Sequence, residues 1–293
     1  MAYPDGLRAQ IEDYLGRMRF SDEPLTSSLV EAMRYSLLAG GKRIRPVLTL
    51  ATARAIGRDE RELLPLAAAI ELIHTYSLIH DDLPAMDDDS LRRGRPTNHV
   101  AFGEEVAILA GDGLYAEAFR HVLQRQCGEP RHVLEAVGEL AASTAVDGMV
   151  GGQYLDVAGV RDDHPDAARS LRRTHELKTG RLIGASVQCV LLLAGMSRSI
   201  TTDYRNYAAE LGVLFQIVDD ILDVTGTDAA LGKPQGSDER HGRRTYVTEF
   251  GLDGARRLAI RSHREARASL AAAAPRGAPE LEQITDFIAT RTS

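Results

Sequence analysis

Two aspartate-rich clusters stand apart in the chain, Asp81-Asp82-Leu83-Pro84-Ala85-Met86-Asp87-Asp88-Asp89 and Asp219-Asp220-Ile221-Leu222-Asp223. Grouped carboxylates are hard oxygen donors, and Mg2+ is typically held by one or two of them plus the oxygens of a bound phosphate. Asp219 and Asp223 are four residues apart in a helical pattern and so share one face. Like charges at that spacing repel by about 0.2–0.5 kcal/mol. Leu211, Val213, Leu214, Phe215, Ile217 and Val218 make the segment read as buried, and buried carboxylates need partners. In the first cluster Asp81 and Asp82 end an apolar helical run, and Pro84 turns Leu83 away from helix. Periodicity alone leaves both Asp87 and Asp88 open as the partner of Asp81. Taken singly, each cluster also fits a solvated acidic face or loop; two in one helical chain favour a shared divalent cation.

Basic motifs narrow the chemistry to phosphate. Gly40-Gly41-Lys42-Arg43-Ile44-Arg45-Pro46 joins two helical segments, the glycines suiting a helix stop and Pro46 a first turn. Lys42 and Arg45 then fall at a helix N-terminus, where backbone donors and the dipole favour an anion. Arg92-Arg93-Gly94-Arg95-Pro96 follows the first acidic cluster directly, and arginine's planar fork matches phosphate oxygens. Lys178-Thr179-Gly180 and Gly232-Lys233 are weaker signals. His74 lies seven residues before Asp81, on roughly the same helix face.

The elements that position these groups read as helices throughout. Leu63, Leu66, Ala67, Ile70, Ile73 and Ser77 keep three- and four-residue steps, and similar steps recur in Val133–Val146, Leu182–Leu193, Tyr204–Leu222 and Ala255–Leu270. Breakers fall at Gly40-Gly41, Pro84, Arg93–Pro96, Gly128–Pro130, Gly159–Pro165 and Gly232–Gly242, none resembling an interdomain linker. The pattern predicts ten or more helices, no sheet, and one all-α domain over residues 1–293. Hydrophobic residues make up 44% and charged residues 26%, as in a globular protein. A net charge of −7 argues against a nucleic-acid surface. Cys127 and Cys189 have no metal-ligand or redox spacing. No signal peptide or transmembrane segment is apparent, and a cytoplasmic protein is expected.

Together these motifs resemble the trans-isoprenyl diphosphate synthases, most of all bacterial farnesyl diphosphate synthase (geranyltranstransferase) and its geranylgeranyl counterpart. The resemblance rests on SLLAGGKRIRPVL, ELIHTYSLIHDDLPAMDDDSLRRGRPTNH, LAGDGLYAEAF, MVGGQYLDV, HELKTGRLI and LGVLFQIVDDILDVTGTDAALGKPQGSD, which run from Ser36 to Asp238 in family order. It implies the isoprenoid synthase fold, with helices around a deep central cavity, and a homodimer. It implies that Asp81, Asp87 and Asp219 bind three Mg2+ ions, with Asp82, Asp220 and Asp223 supporting the metal shell. By analogy it selects Asp87 over Asp88. Arg92, Lys178, Thr179, Gln216 and Lys233 match the family's allylic-substrate positions, and Lys42, Arg45, His74 and Arg93 its isopentenyl diphosphate positions. The sequence departs from the family's usual Lys-x-Thr-Tyr-Pro at Arg243 and Val247, where reach and loop geometry change.

The implied reaction is head-to-tail prenyl transfer. Mg2+, Arg92, Lys178 and Lys233 stabilise the departing diphosphate, and an apolar cavity shields the allylic cation from water. Gln216 and Thr179 ease its charge, and isopentenyl diphosphate attacks while held by Lys42, Arg45 and Arg93. Tyr76 and Ser77 precede Asp81 on its helix; by resemblance to the family, where a bulky residue near there stops elongation early, this implies a short cavity floor and a fifteen-carbon product, farnesyl diphosphate, with geranylgeranyl diphosphate the alternative. A class I terpene cyclase would not need Lys42 and Arg45, and a non-catalytic regulatory subunit would not need its complete aspartate set.

Overall fold

A computed structural model describes residues 3–158, 167–226 and 243–291. Lys233 and the breaker segments Gly159–Pro165 and Gly232–Gly242 lie outside the described residues. The chain is all-α. The helices are α1 (Asp5–Arg17), α2 (Ser27–Leu37), α3 (Ile44–Ala55), α4 (Leu64–Asp81), α5 (Asn98–Phe102), α6 (Glu104–Arg125), α7 (Pro130–Thr144), α8 (Met149–Ala158), α9 (Ala167–His175), α10 (Arg181–Leu193), α11 (Arg198–Thr225), α12 (Tyr246–Ala273) and α13 (Pro279–Thr290). The strands among the described residues are two of two residues each, Leu91–Arg92 (β1) paired antiparallel with Arg95–Pro96 (β2). Their turn residues, Arg93 (φ 54°) and Gly94 (φ 72°), are both left-handed, as a tight primed hairpin turn requires.

Helix α4 is the axis of the fold. Its residues from Pro65 to Ile73 are all buried, so, apart from the ion-paired Glu71, it is apolar all round rather than amphipathic, as a helix enclosed by others must be. It packs on α6, α3, α1 and α10. Glu60–Asp81 is long and apolar enough to cross a bilayer but is 72% buried against other helices, which marks it as the core helix. Helix α11 packs along α12 and α10, so the second acidic cluster rides on the C-terminal part of one core helix, and the first begins where another, α4, ends.

One buried cation braces the entry to α3. Arg43 is left-handed (φ 53°). Its guanidinium, with no exposed surface, pairs with Glu71 at 2.6 Å and Glu12 at 2.8 Å and donates to Leu37 O. Of the neighbouring cations in the Lys42–Arg45 stretch, Arg43 is thus tied into the core.

Candidate active site

A cavity of about 520 Å³ opens between α4, α8, α11 and the hairpin, and both acidic clusters line it; that size suits a small organic ligand. Asp81 and Asp87 stand on one wall, and Asp219, Asp220 and Asp223 on another. The first wall depends on the turn after α4. Met86 N–H donates to Leu83 O, and Asp87 N–H reaches back to Asp81 O at 2.9 Å, folding the chain so that Asp87 returns beside Asp81. Asp88 is left-handed (φ 51°) and exposed and does not line the cavity. Burial, opposed by Lys178 and reinforced by Asp87, pushes the Asp81 carboxyl up to about 6.

Each adjacent aspartate pair divides its work. Asp82 is buried, and both its oxygens accept from Arg92 Nε, at 2.7 and 2.9 Å. It fixes Arg92 at the cavity wall and is not itself a lining residue. Asp220, 1% exposed, accepts from Gln216 Nε2 at 2.8 Å and from the Tyr246 backbone N–H at 2.7 Å. It therefore starts α12 and orients the Gln216 carboxamide, whose oxygen accepts the Thr179 hydroxyl at 2.9 Å. Asp219 is exposed towards the mouth and pairs with Arg291 at 3.0 Å, while Asp223 is buried in the wall.

Lys178 and Thr179 belong to a π-helical turn, Glu176–Gly180, between α9 and α10. Such turns displace side chains from the regular helical face and recur at functional sites. Two close backbone approaches clamp it. A Cβ added at Gly152 on α8 would lie 2.1 Å from Lys178 N, and one at Gly212 on α11 would lie 3.0 Å from Gly180 Cα. Lys178 and Thr179 both face the cavity.

A second cationic region adjoins the first. Arg45 lies 3.4 Å from His74 Nε2 and over the Phe215 ring, 5.6 Å from its centroid. Burial, partly offset by Glu71 and Asp219, brings Arg45 down to about 10. Burial and then the nearby Arg45 hold His74 well below the ordinary histidine range, so it stands neutral among cations. Arg93 donates to Gly40 O and lies so close to Gly41 that a Cβ there would sit 2.7 Å from Cζ. Arg45, His74 and Arg93 line the cavity. Lys42 does not: its ammonium rests over the Phe287 ring, 5.3 Å from the centroid. Tyr76 and Ser77 do line it, and Tyr76 packs edge-on against Tyr115, which packs edge-on against Phe119.

Three further side chains without a motif-assigned role belong to this site. Asp156 pairs with Lys178 at 2.6 Å and Arg243 at 3.2 Å. Arg243 also pairs with Asp87. Arg291, from the end of the chain, meets the Phe215 ring at 4.3 Å. The MVGGQYLDV stretch was a signal for Asp156, whereas Arg291 has none, because it reaches Asp219 only through tertiary packing. At the second departure from family pattern, Thr245 and Thr248 form a reciprocal capping box. It begins α12 without a proline, leaving Val247 to pack with the Leu171, Ile217, Tyr246 and Ala255 cluster.

Among the described residues no three His, Cys, Asp or Glu side chains converge as a preformed metal cage. The donors are split between two walls, which fits a hard cation completing its shell with water and ligand oxygens. With arginines and Lys178 between them, the arrangement is suited to a diphosphate.

Residues 26–274 match the polyprenyl synthetase family. The chain belongs to that family. It is 44% identical over 273 residues to geranylgeranyl pyrophosphate synthase 9, chloroplastic, of Arabidopsis thaliana, covering 92% of this chain and 75% of that protein. It is 47% identical over 232 residues to farnesyl diphosphate synthase of Geobacillus stearothermophilus, covering 78% and 77%. The geranyltransferase of Helicobacter pylori, solved with magnesium and isoprenyl diphosphate, superposes with a TM-score of 0.86 at 31% identity over 98% of this chain and 97% of that one. The isoprenoid synthase fold follows.

Proposed function

We propose that the protein is a Mg2+-dependent short-chain trans-prenyltransferase that condenses isopentenyl diphosphate with dimethylallyl and geranyl diphosphate to give farnesyl diphosphate. The observation that carries this reading is the pair of acidic walls across one cavity, with cations beside both. Asp81, Asp87, Asp219 and Asp223 would hold Mg2+, with Asp82 and Asp220 positioning groups around them. Bound Mg2+ would neutralise the diphosphate as it departs. Arg92, Lys178 and Lys233 would bind the same diphosphate. The Gln216 oxygen and Thr179 would face the allylic carbon, their dipoles set by the Asp220 chain. Arg45, Arg93 and His74 would take isopentenyl diphosphate, with Lys42 as an outer cation.

The similar proteins include both farnesyl and geranylgeranyl synthases, so the depth of the cavity decides product length. The Tyr76–Tyr115–Phe119 stack supports a floor close beneath Asp81. Incubation with isopentenyl diphosphate and each of three allylic starters, followed by mass analysis, tests both class and length. Farnesyl diphosphate as end product is expected, and Tyr76→Ala is expected to yield twenty-carbon material. A wild-type twenty-carbon product, or an unchanged Tyr76→Ala spectrum, contradicts the floor assignment; hydrocarbon from farnesyl diphosphate alone points to a cyclase. Exposed apolar side chains on α6, α7 and α8, including Ile108, Leu109, Leu134, Val150 and Tyr154, support a homodimer through these helices. Light scattering should give twice the 31.9 kDa chain mass.

A further inference from the structure

Asp156 is a carboxylate on the cavity wall that faces cations rather than a second acidic residue. Its Oδ2 lies 2.6 Å from Lys178 Nζ and 3.2 Å from Arg243 Nε. On its other edge Arg243 pairs through Nη2 with Asp87. All four side chains are at least three-quarters buried. We infer that Asp156 is a positioning residue that fixes Lys178 and Arg243 as a spaced pair for one diphosphate, and that arginine stands at 243 because only its fork reaches both Asp156 and Asp87. The inference rests on the prenyl-transfer reading above.

Backbone, charge and side-chain geometry support it. Gly152 stands one helical turn before Asp156, and its close approach to Lys178 N leaves no space for a Cβ. Helix α8 is therefore pinned to the π turn at the level where the carboxylate meets the ammonium. Burial raises the Asp156 carboxyl, but Lys178 and Arg243 outweigh it and bring it below the ordinary aspartate range, so it is ionised at neutral pH. With Asp87 counted, two carboxylates balance two cations, so Lys178 and Arg243 are held on the wall as an ion-paired set ready to turn towards a diphosphate. A lysine at 243 has a single terminal nitrogen at the end of a flexible stem, whereas the guanidinium presents Nε and Nη2 in a rigid plane. The arrangement thus turns an apparent departure from family pattern into a bridged one.

The test is a double-variant cycle of Asp156→Asn, Arg243→Lys and both together, with geranyl and isopentenyl diphosphate varied separately. Each single change is expected to lower kcat/KM for the allylic diphosphate about ten-fold or more, leaving KM for isopentenyl diphosphate within about two-fold. The double variant should lie within about two-fold of Asp156→Asn, because the bridge is already lost. Asp156→Glu, which keeps the charge but moves it one methylene outwards, should lose about five-fold and serves if Asp156→Asn does not fold. The inference is overturned if Asp156→Asn or Asp156→Glu leaves allylic kinetics within two-fold of the unaltered protein. It is also overturned if the single losses multiply in the double variant, or if both substrates suffer equally, as they would from a general loss of packing. Absence of any elongated product from the unaltered protein contradicts the prenyl-transfer reading instead.

Discussion

The two acidic walls carry similar strings of aspartates on different backbones. Asp219, Asp220 and Asp223 ride on one uninterrupted helix, α11, so their directions follow from helical phase alone. Asp81 ends α4, and Asp87 reaches the same wall only because the turn after it closes through the Asp87 N–H to Asp81 O bond. Yet both walls split their adjacent pair in the same way. The first aspartate opens to the cavity, and the second is buried on structural partners: Asp82 on Arg92 behind the lining, and Asp220 on Gln216 and the start of α12 within it. Sequence identity within a pair therefore conceals two jobs, one facing ligand and one holding the residues that face ligand.

The largest effect should come from the cavity-facing members. Asp81→Asn and Asp219→Asn should each reduce prenyl transfer by about a thousand-fold, in line with the loss of electrostatic groups aimed at a reacting centre. The melting temperature of Asp81→Asn should hold or rise, because burial and Asp87 already disfavour its charge. A fall of several degrees would break the division drawn above. Asp220→Ala should behave in the opposite sense. It strips partners from the Tyr246 N–H and the Gln216 amide, and about 2–3 kcal/mol of stability should be lost in urea unfolding. Retained stability would place the start of α12 under the capping box alone.

The smallest effect is a pH dependence. Burial lowers His175, on the cavity wall, to about 4, below its unfolded value of about 6.5. A depressed histidine contributes stability that is present above the unfolded pKa and lost as pH falls towards the folded one. Between pH 7 and pH 5 the protein should lose on the order of 1–2 kcal/mol through this group. Comparing urea midpoints at both pH values, His175→Gln should show a shallower decline; an identical decline would remove His175 from the account.

Much of this was legible in the sequence because helical periodicity is a local property. The helical segments around Val133–Val146, Leu182–Leu193, Tyr204–Leu222 and Ala255–Leu270 coincide with parts of α7, α10, α11 and α12. Periodicity could not choose between Asp87 and Asp88, since the outcome depends on a non-helical turn. Nor did it reveal the π turn at Lys178, which is fixed by close approach of Gly152 and Gly212 from two other helices. In Gly40–Pro46 the cations looked alike. Burial against Glu71 and Glu12 distinguishes Arg43, and stacking on Phe287 distinguishes Lys42. Asp156, Arg243 and Arg291 acquire their partners across the fold, beyond any spacing rule.

The central claim is that two walls grip one diphosphate through Mg2+. Calorimetric binding of a non-reactive thio analogue of geranyl diphosphate, with and without Mg2+, tests it most directly. The account predicts that Mg2+ tightens binding at least ten-fold in the unaltered protein. That gain should vanish in both Asp81→Asn and Asp219→Asn, one from each wall. A gain that survives in either variant, or binding indifferent to Mg2+ in the unaltered protein, would contradict it.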